Sequence, residues 1–156
     1  MIKIIKYFFQ AVIIYFFFFV IKIIGLKLSR IVFSNLFNKI GPLIKSNQIF
    51  YDNLNKFIGP YNENKKEEIK FKMWENFGKT FVEYLFLKKF REDNSHVKIK
   101  GENILLKIID QNKPVIFVSG HFANFELMSM ELIRKGIKLA TIYRPLNNYF
   151  LNPFME

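Results

Sequence analysis

Residues 7–21, YFFQAVIIYFFFFVI, carry no charged side chain, and with Lys22 as the one interruption the apolar stretch runs on to Leu26. Counted from Tyr7 to Leu26 this is 20 residues. As a helix it rises about 30 Å, the thickness of a bilayer's hydrocarbon core. Lys22 sits near the end, where its aliphatic stem lets the ammonium reach headgroups. A cleaved signal peptide shares the basic start, Lys3 and Lys6. It would need small residues after the apolar core, where Ile23, Ile24, Gly25, Leu26 and Lys27 stand. A buried core helix is the remaining alternative. Length and flanks favour a membrane anchor over residues 1–27. Lys22, Lys27, Arg30, Lys39 and Lys45 outnumber Lys3 and Lys6, which favours a cytoplasmic C-terminal side. A monotopic helix dipping into one leaflet fits the same pattern.

Charge narrows the partners. The formal net charge is +11, and residues 1–60 carry eight basic side chains against Asp52 alone. Such a balance suits nucleic acid, anionic lipid or an acidic protein. There is no cysteine, so disulfides, thiol catalysis and Cys-based zinc sites are excluded. The only histidines, His96 and His121, lie 25 positions apart, which speaks against a His-rich metal centre. The expectation is chemistry without metal or other cofactor.

After the anchor, residues 28–92 read as a helical, membrane-proximal region. Leu28, Ile31, Val32, Leu36 and Ile40 make a helical stripe with Lys27, Arg30 and Lys39 between them, suited to a membrane surface or to packing on its own domain. Gly41-Pro42 is expected to break that helix. A short helix should occupy 43–58. Gly59-Pro60 and YNENKKEE should form a loop, and 66–90 a long helix closed by the polar residues 91–95. From residue 93 the period changes. Residues 97–101 alternate like a strand, 102–111 look helical, and 115–119, VIFVS, form an apolar β-branched run typical of a buried strand. A helix over 122–135, ended by Gly136, and a strand over 138–143 complete a βαβ unit. The expected fold class is α/β: an N-terminal transmembrane helix and helical segment, then the start of a mostly parallel sheet over 93–156.

His121 would then stand at the carboxyl end of a strand where a helix begins, the usual ligand end of an open α/β sheet. Gly120 permits a tight turn, and helix-start amides favour negative charge. Glu126 follows five positions later. Five residues of straight helix turn about 500°, so the pair meets only if His121 precedes the helix and its ring folds over the first turn. The carboxylate would then fix one ring nitrogen and leave the other as a base for an alcohol proton. A capping or hydrogen-bonded structural His121, with Glu126 as a first-turn acid, is the plainer alternative.

G-H-F-A-N-F-E at 120–126 resembles the H-x4-D/E motif of the lysophospholipid and glycerolipid acyltransferases. With MWENFGKTFVEYL at 73–85 and IYRPLNN at 142–148, the chain is similar to the late acyltransferases of lipid A biosynthesis, from its anchor to its last residue. The resemblance implies a sheet of the glycerolipid acyltransferase type, of which this chain holds the N-terminal part, apparently truncated. It implies transfer of an acyl chain from acyl carrier protein to a hydroxyl of a lipid A precursor at the bacterial inner membrane. His121 would be the general base and Glu126 its orienting and charge-stabilising partner. Arg144 would meet an acceptor phosphate or oxyanion charge, unless it forms a structural ion pair, and Asn124 would line the site. Acyl carrier protein, the lipid A precursor and anionic inner-membrane lipids are all negative, which accounts for the basic charge without nucleic acid. Another phospholipid or glycolipid acyltransferase, or a non-catalytic single-span membrane protein, are the alternative readings.

Overall fold

The computed structural model describes residues 2–58, 62–93, 96–111, 113–142 and 144–155. The expected Gly59-Pro60 break, Asn94-Ser95 and Tyr143 lie outside them. Among the described residues every regular element is helical. The first, α1, spans Ile2–Ile44 and is interrupted only at Gly25, whose φ of 76° and ψ of 171° belong to a region open almost solely to glycine. The chain divides into two compact units. One joins the residues up to Ile23 with those from Leu87 onward, and the other is Ile24–Phe86.

The second unit is a helical assembly built on α1, α2 (Asn47–Ile58) and α3 (Glu63–Glu83). Asn62 starts α3 by accepting the Lys65 amide at 2.8 Å, satisfying one of the helix's unpaired donors. The second stretch of α1 runs antiparallel to α3. Gly41 lies under the Trp74 ring, the Phe33 and Phe37 rings lie 5.7 and 5.5 Å from Phe81, and the Arg30 guanidinium sits 2.6 Å from Glu83. Gly78 allows the closest approach. A Cβ there would fall 2.3 Å from the Phe33 carbonyl oxygen. Tyr51 ties α2 to α3 by donating to Glu67, which also holds Lys70 at 2.7 Å.

The other unit holds α4 (Leu87–Glu92), α5 (Glu102–Gln111), α6 (Glu126–Arg134) and α7 (Asn152–Met155). α4 packs on α6, with Phe90 almost fully buried. Gly136, at φ 86°, ends α6 as expected. Its amide bonds to the Ile133 carbonyl and that of Ile137 to the Leu132 carbonyl, a Schellman closure. An ion pair from Lys135 to Glu102 links the end of α6 to the start of α5. The segment after residue 146 lies against the first stretch of α1. Asn148 donates to the Tyr7 carbonyl at 2.9 Å, Tyr15 donates to the Phe150 carbonyl at 2.9 Å, and the Phe18 and Phe154 rings are 4.5 Å apart.

The α/β expectation is corrected: there is no strand and no sheet among the described residues. Residues 97–99, 113–119 and 137–142 are irregular chain without ladder partners. An apolar β-branched run marks a segment for burial, but a strand exists only when a neighbour supplies its hydrogen bonds. Here Ile116 and Val118 are 90% and 91% exposed, so the run is not even buried. Three smaller expectations change as well. Helix α1 continues through Pro42 to Ile44, because a proline this close to a helix end removes one ladder bond only. The polar stretch from Glu63 is helix rather than loop, since Asn62 caps it. The long helix expected to Phe90 tightens into a 3₁₀ turn at Tyr84–Phe86 between α3 and α4.

Candidate functional site

The segment from Ser119 to Glu126 builds the site. The Phe122 amide donates to the Gly120 carbonyl at 2.8 Å, closing a three-residue turn centred on His121. His121 has no positive φ, so this is the inverse form common at loop starts. A Cβ at Gly120 would fall 2.5 Å from the ring of Phe122, an exposed side chain that would have to turn aside. Ala123 then takes φ 49°, a left-handed conformation that costs a residue with a Cβ roughly 1–2 kcal/mol. Asn124 is buried and its carbonyl accepts the Leu127 amide, so the chain enters α6 with Phe125 at the cap and Glu126 as the first helical residue. The expected helix over 122–135 therefore begins four residues later.

This geometry sets what each expected residue touches. His121 is solvent-exposed, and its ring stands edge-on to Phe125, centroids 4.2 Å apart at 66°. Among the described residues no hydrogen bond or ion pair joins His121 to Glu126, so the ring rests on the aromatic residue four positions on instead. Glu126 occupies the first turn of α6, where its charge faces the positive end of the helix dipole. Arg144 is exposed and has no ion pair among the described residues. No hydrogen bond or ion pair links it to His121, Asn124 or Glu126. The chain beyond it is pinned: the Leu146 amide donates to Asn152 Oδ1 at 2.9 Å, and Asn148 is buried. The arrangement offers an exposed imidazole whose nitrogens have no hydrogen-bond partner among the described residues, beside helix-start amides.

Two features escaped the sequence reading. Phe125 as the seat of the His121 ring was visible only as an H-x-x-x-F spacing, which the H-x4-E spacing overshadowed. The other is a groove of about 730 Å³ lined by Ile108 and Ile109 of α5, Met128 and Leu132 of α6, and the segments at 113–117 and 136–141. Its walls are mainly aliphatic, and no spacing in the sequence announces it. His121 is not among its lining residues.

Comparison with curated proteins and with solved structures gives no match. A family model does match, over residues 2–155, nearly the whole chain, and it takes in the His121 turn, the apolar helix and the segment after Arg144. The chain belongs to the bacterial lipid A biosynthesis acyltransferases.

Proposed function

We propose that this acyltransferase moves a fatty acyl chain from acyl carrier protein to a hydroxyl of a lipid A precursor, with His121 as the general base. The family match over residues 2–155 is the observation that carries the reading. The exposed His121 imidazole supports its finer part. One ring nitrogen takes the proton of the acceptor hydroxyl as the oxygen attacks the donor's thioester carbonyl. The tetrahedral oxyanion collapses, the carbon–sulfur bond breaks, and the carrier thiolate leaves with the proton returned from the imidazolium. Glu126 stabilises that imidazolium. Reaching it requires the ring to swing off Phe125, an adjustment of the kind seen when catalytic contacts tighten around substrate. Arg144 meets the acceptor phosphate or the oxyanion, and Asn124 lines the approach.

In this reading residues 1–27 anchor the enzyme at the inner membrane, 28–92 lie beside it and 93–156 carry the chemistry on the cytoplasmic side. The apolar helix has the length and composition to cross a bilayer. The net charge of +11 draws the acidic carrier and anionic lipids to the same face.

The test is mass spectrometry of lipid A from a strain lacking its own late acyltransferase and expressing this protein. An added acyl chain is expected. His121→Ala should lower the rate by about 10²–10⁴-fold, the usual worth of a general base. Acylation of another glycolipid in place of lipid A would move the acceptor assignment, and full activity of His121→Ala would remove the base.

A further inference from the structure

Between the second stretch of α1 and α3 lies a half-open pocket of about 240 Å³, away from the His121 segment in sequence and wholly inside the unit Ile24–Phe86. Arg30, Asn38, Glu75 and Lys79 supply its polar wall, and Ile31 and Phe71 its apolar one. A liquid water occupies about 30 Å³, so the space equals about eight waters, enough for a phosphate carrying a short amine. We propose that it binds the headgroup of an aminoalkyl phospholipid, of the phosphoethanolamine type.

The charge pattern selects that chemistry. Each cation already has an anion: Arg30 is 2.6 Å from Glu83, and Lys79 is 2.5 Å from Glu75. The wall itself carries both signs, Arg30 and Lys79 with Glu75, so it suits a ligand that is itself both anion and cation. The phosphate is bound by the Arg30 and Lys79 donors, and the ligand amine by Glu75. Asn38 points the same way. Its amide nitrogen is shut off from solvent and has no acceptor among the described residues, an unfavourable state for a buried donor. A turn about its terminal torsion hands that N–H to a phosphate oxygen. The apolar wall favours a lipid over a free phosphate. Ile31 and Phe71 are both more than half exposed, and Leu28 and Val32 continue the exposed apolar surface along the same helix. A glycerol backbone and the first acyl carbons would cover them.

The full chain in detergent micelles can be titrated with dihexanoyl phosphatidylethanolamine, dihexanoyl phosphatidylglycerol, O-phosphoethanolamine and inorganic phosphate, with binding read by native mass spectrometry. The ethanolamine lipid should bind more tightly than the glycerol lipid. Glu75→Gln should weaken the ethanolamine lipid about tenfold without weakening the glycerol lipid, because only the amine needs the carboxylate and its loss frees Lys79 for the phosphate. Asn38→Leu should weaken both. Displacement by O-phosphoethanolamine would place the recognition in the headgroup alone, and failure to displace would make the lipid the source; either fits the pocket. Equal binding of the two lipids, unchanged by Glu75→Gln and Asn38→Leu in variants of native helical content, would overturn the proposal, as would no binding at all. Acyl transfer is not read in any arm, so the outcome is independent of His121.

Discussion

Gly78 shows how one missing Cβ can set a helix pair. Alanine is the better helix former by roughly 1 kcal/mol, so in an isolated α3 the substitution Gly78→Ala would stabilise. Here the added carbon would meet the Phe33 carbonyl oxygen at 2.3 Å and the Ser34 amide nitrogen at 2.8 Å. Those are backbone atoms inside α1, which cannot swing aside as a side-chain end can. The helices would have to part, loosening Phe33 and Phe37 from Phe81 and stretching Arg30 from Glu83. Gly78→Ala is therefore expected to lose about 1–3 kcal/mol net, measured by chemical denaturation in micelles; a gain in stability would mean that the helices do not approach this closely. The His121 segment was legible at the same scale only in part. Glycine and glutamate on either side of His121 announced a turn and a first-turn acid. The left-handed Ala123 was not announced, and it delays α6 until Glu126, leaving the imidazole against Phe125.

Among elements, those with a local cause were the legible ones. The stripe Leu28–Ile40 and the 102–111 pattern are helices because 3.6-residue periodicity specifies a face from the sequence itself. Gly136 ends α6 because a left-handed closing residue is a local demand. The segments 97–101, 115–119 and 138–143 were misread because pairing is not local: the same apolar run reads alike whether a neighbour is present or absent. Helix α3 owes its exposed face to a different local device, a ladder of ion pairs. Glu68 accepts from Lys72 at 2.5 Å and Lys65 at 2.9 Å, and those bonds, that from Lys72 first, hold its carboxyl down to about 2 from an ordinary 4.5. A carboxyl lowered by folding contributes stability above its unfolded value and loses it as pH falls from about 4.5 toward 2. Glu67 is lowered too, by Lys70 and then Tyr51, so the two lose their contribution in the same acid range. Far-ultraviolet dichroism should show helicity falling through that range. Glu68→Gln should flatten the fall, and molar salt should do the same, since the pairs are at the surface. An acid limb unchanged by both would show that the ladder contributes nothing.

At the scale of the whole molecule, the question is how the apolar helix meets the bilayer. Ile5, Phe9, Val12, Phe16, Phe19 and Ile23 are exposed, at spacings that follow one helical face, whereas Ala11, Phe18 and Ile21 are buried. The buried side faces a segment that is not apolar throughout. Asn148 bonds to the Tyr7 carbonyl, and the Asn152 side chain caps the Leu146 amide in the same segment. If residues 7–26 crossed the hydrocarbon upright with these contacts kept, the irregular backbone of 146–151 would be carried to membrane depth. Such backbone is tolerated there only when enclosed by protein or water. A helix lying along the interface, apolar face down, keeps the contacts and the exposed face satisfied together. Because the chain has no cysteine, single replacements can report this cleanly. Lys3→Cys and Lys45→Cys should both react with a membrane-impermeant maleimide from the cytoplasmic side in inverted vesicles, and neither should react in intact spheroplasts. Labelling of Lys3→Cys from the outer side alone would establish a crossing helix, and the bond between Asn148 and Tyr7 would then have to open in the membrane.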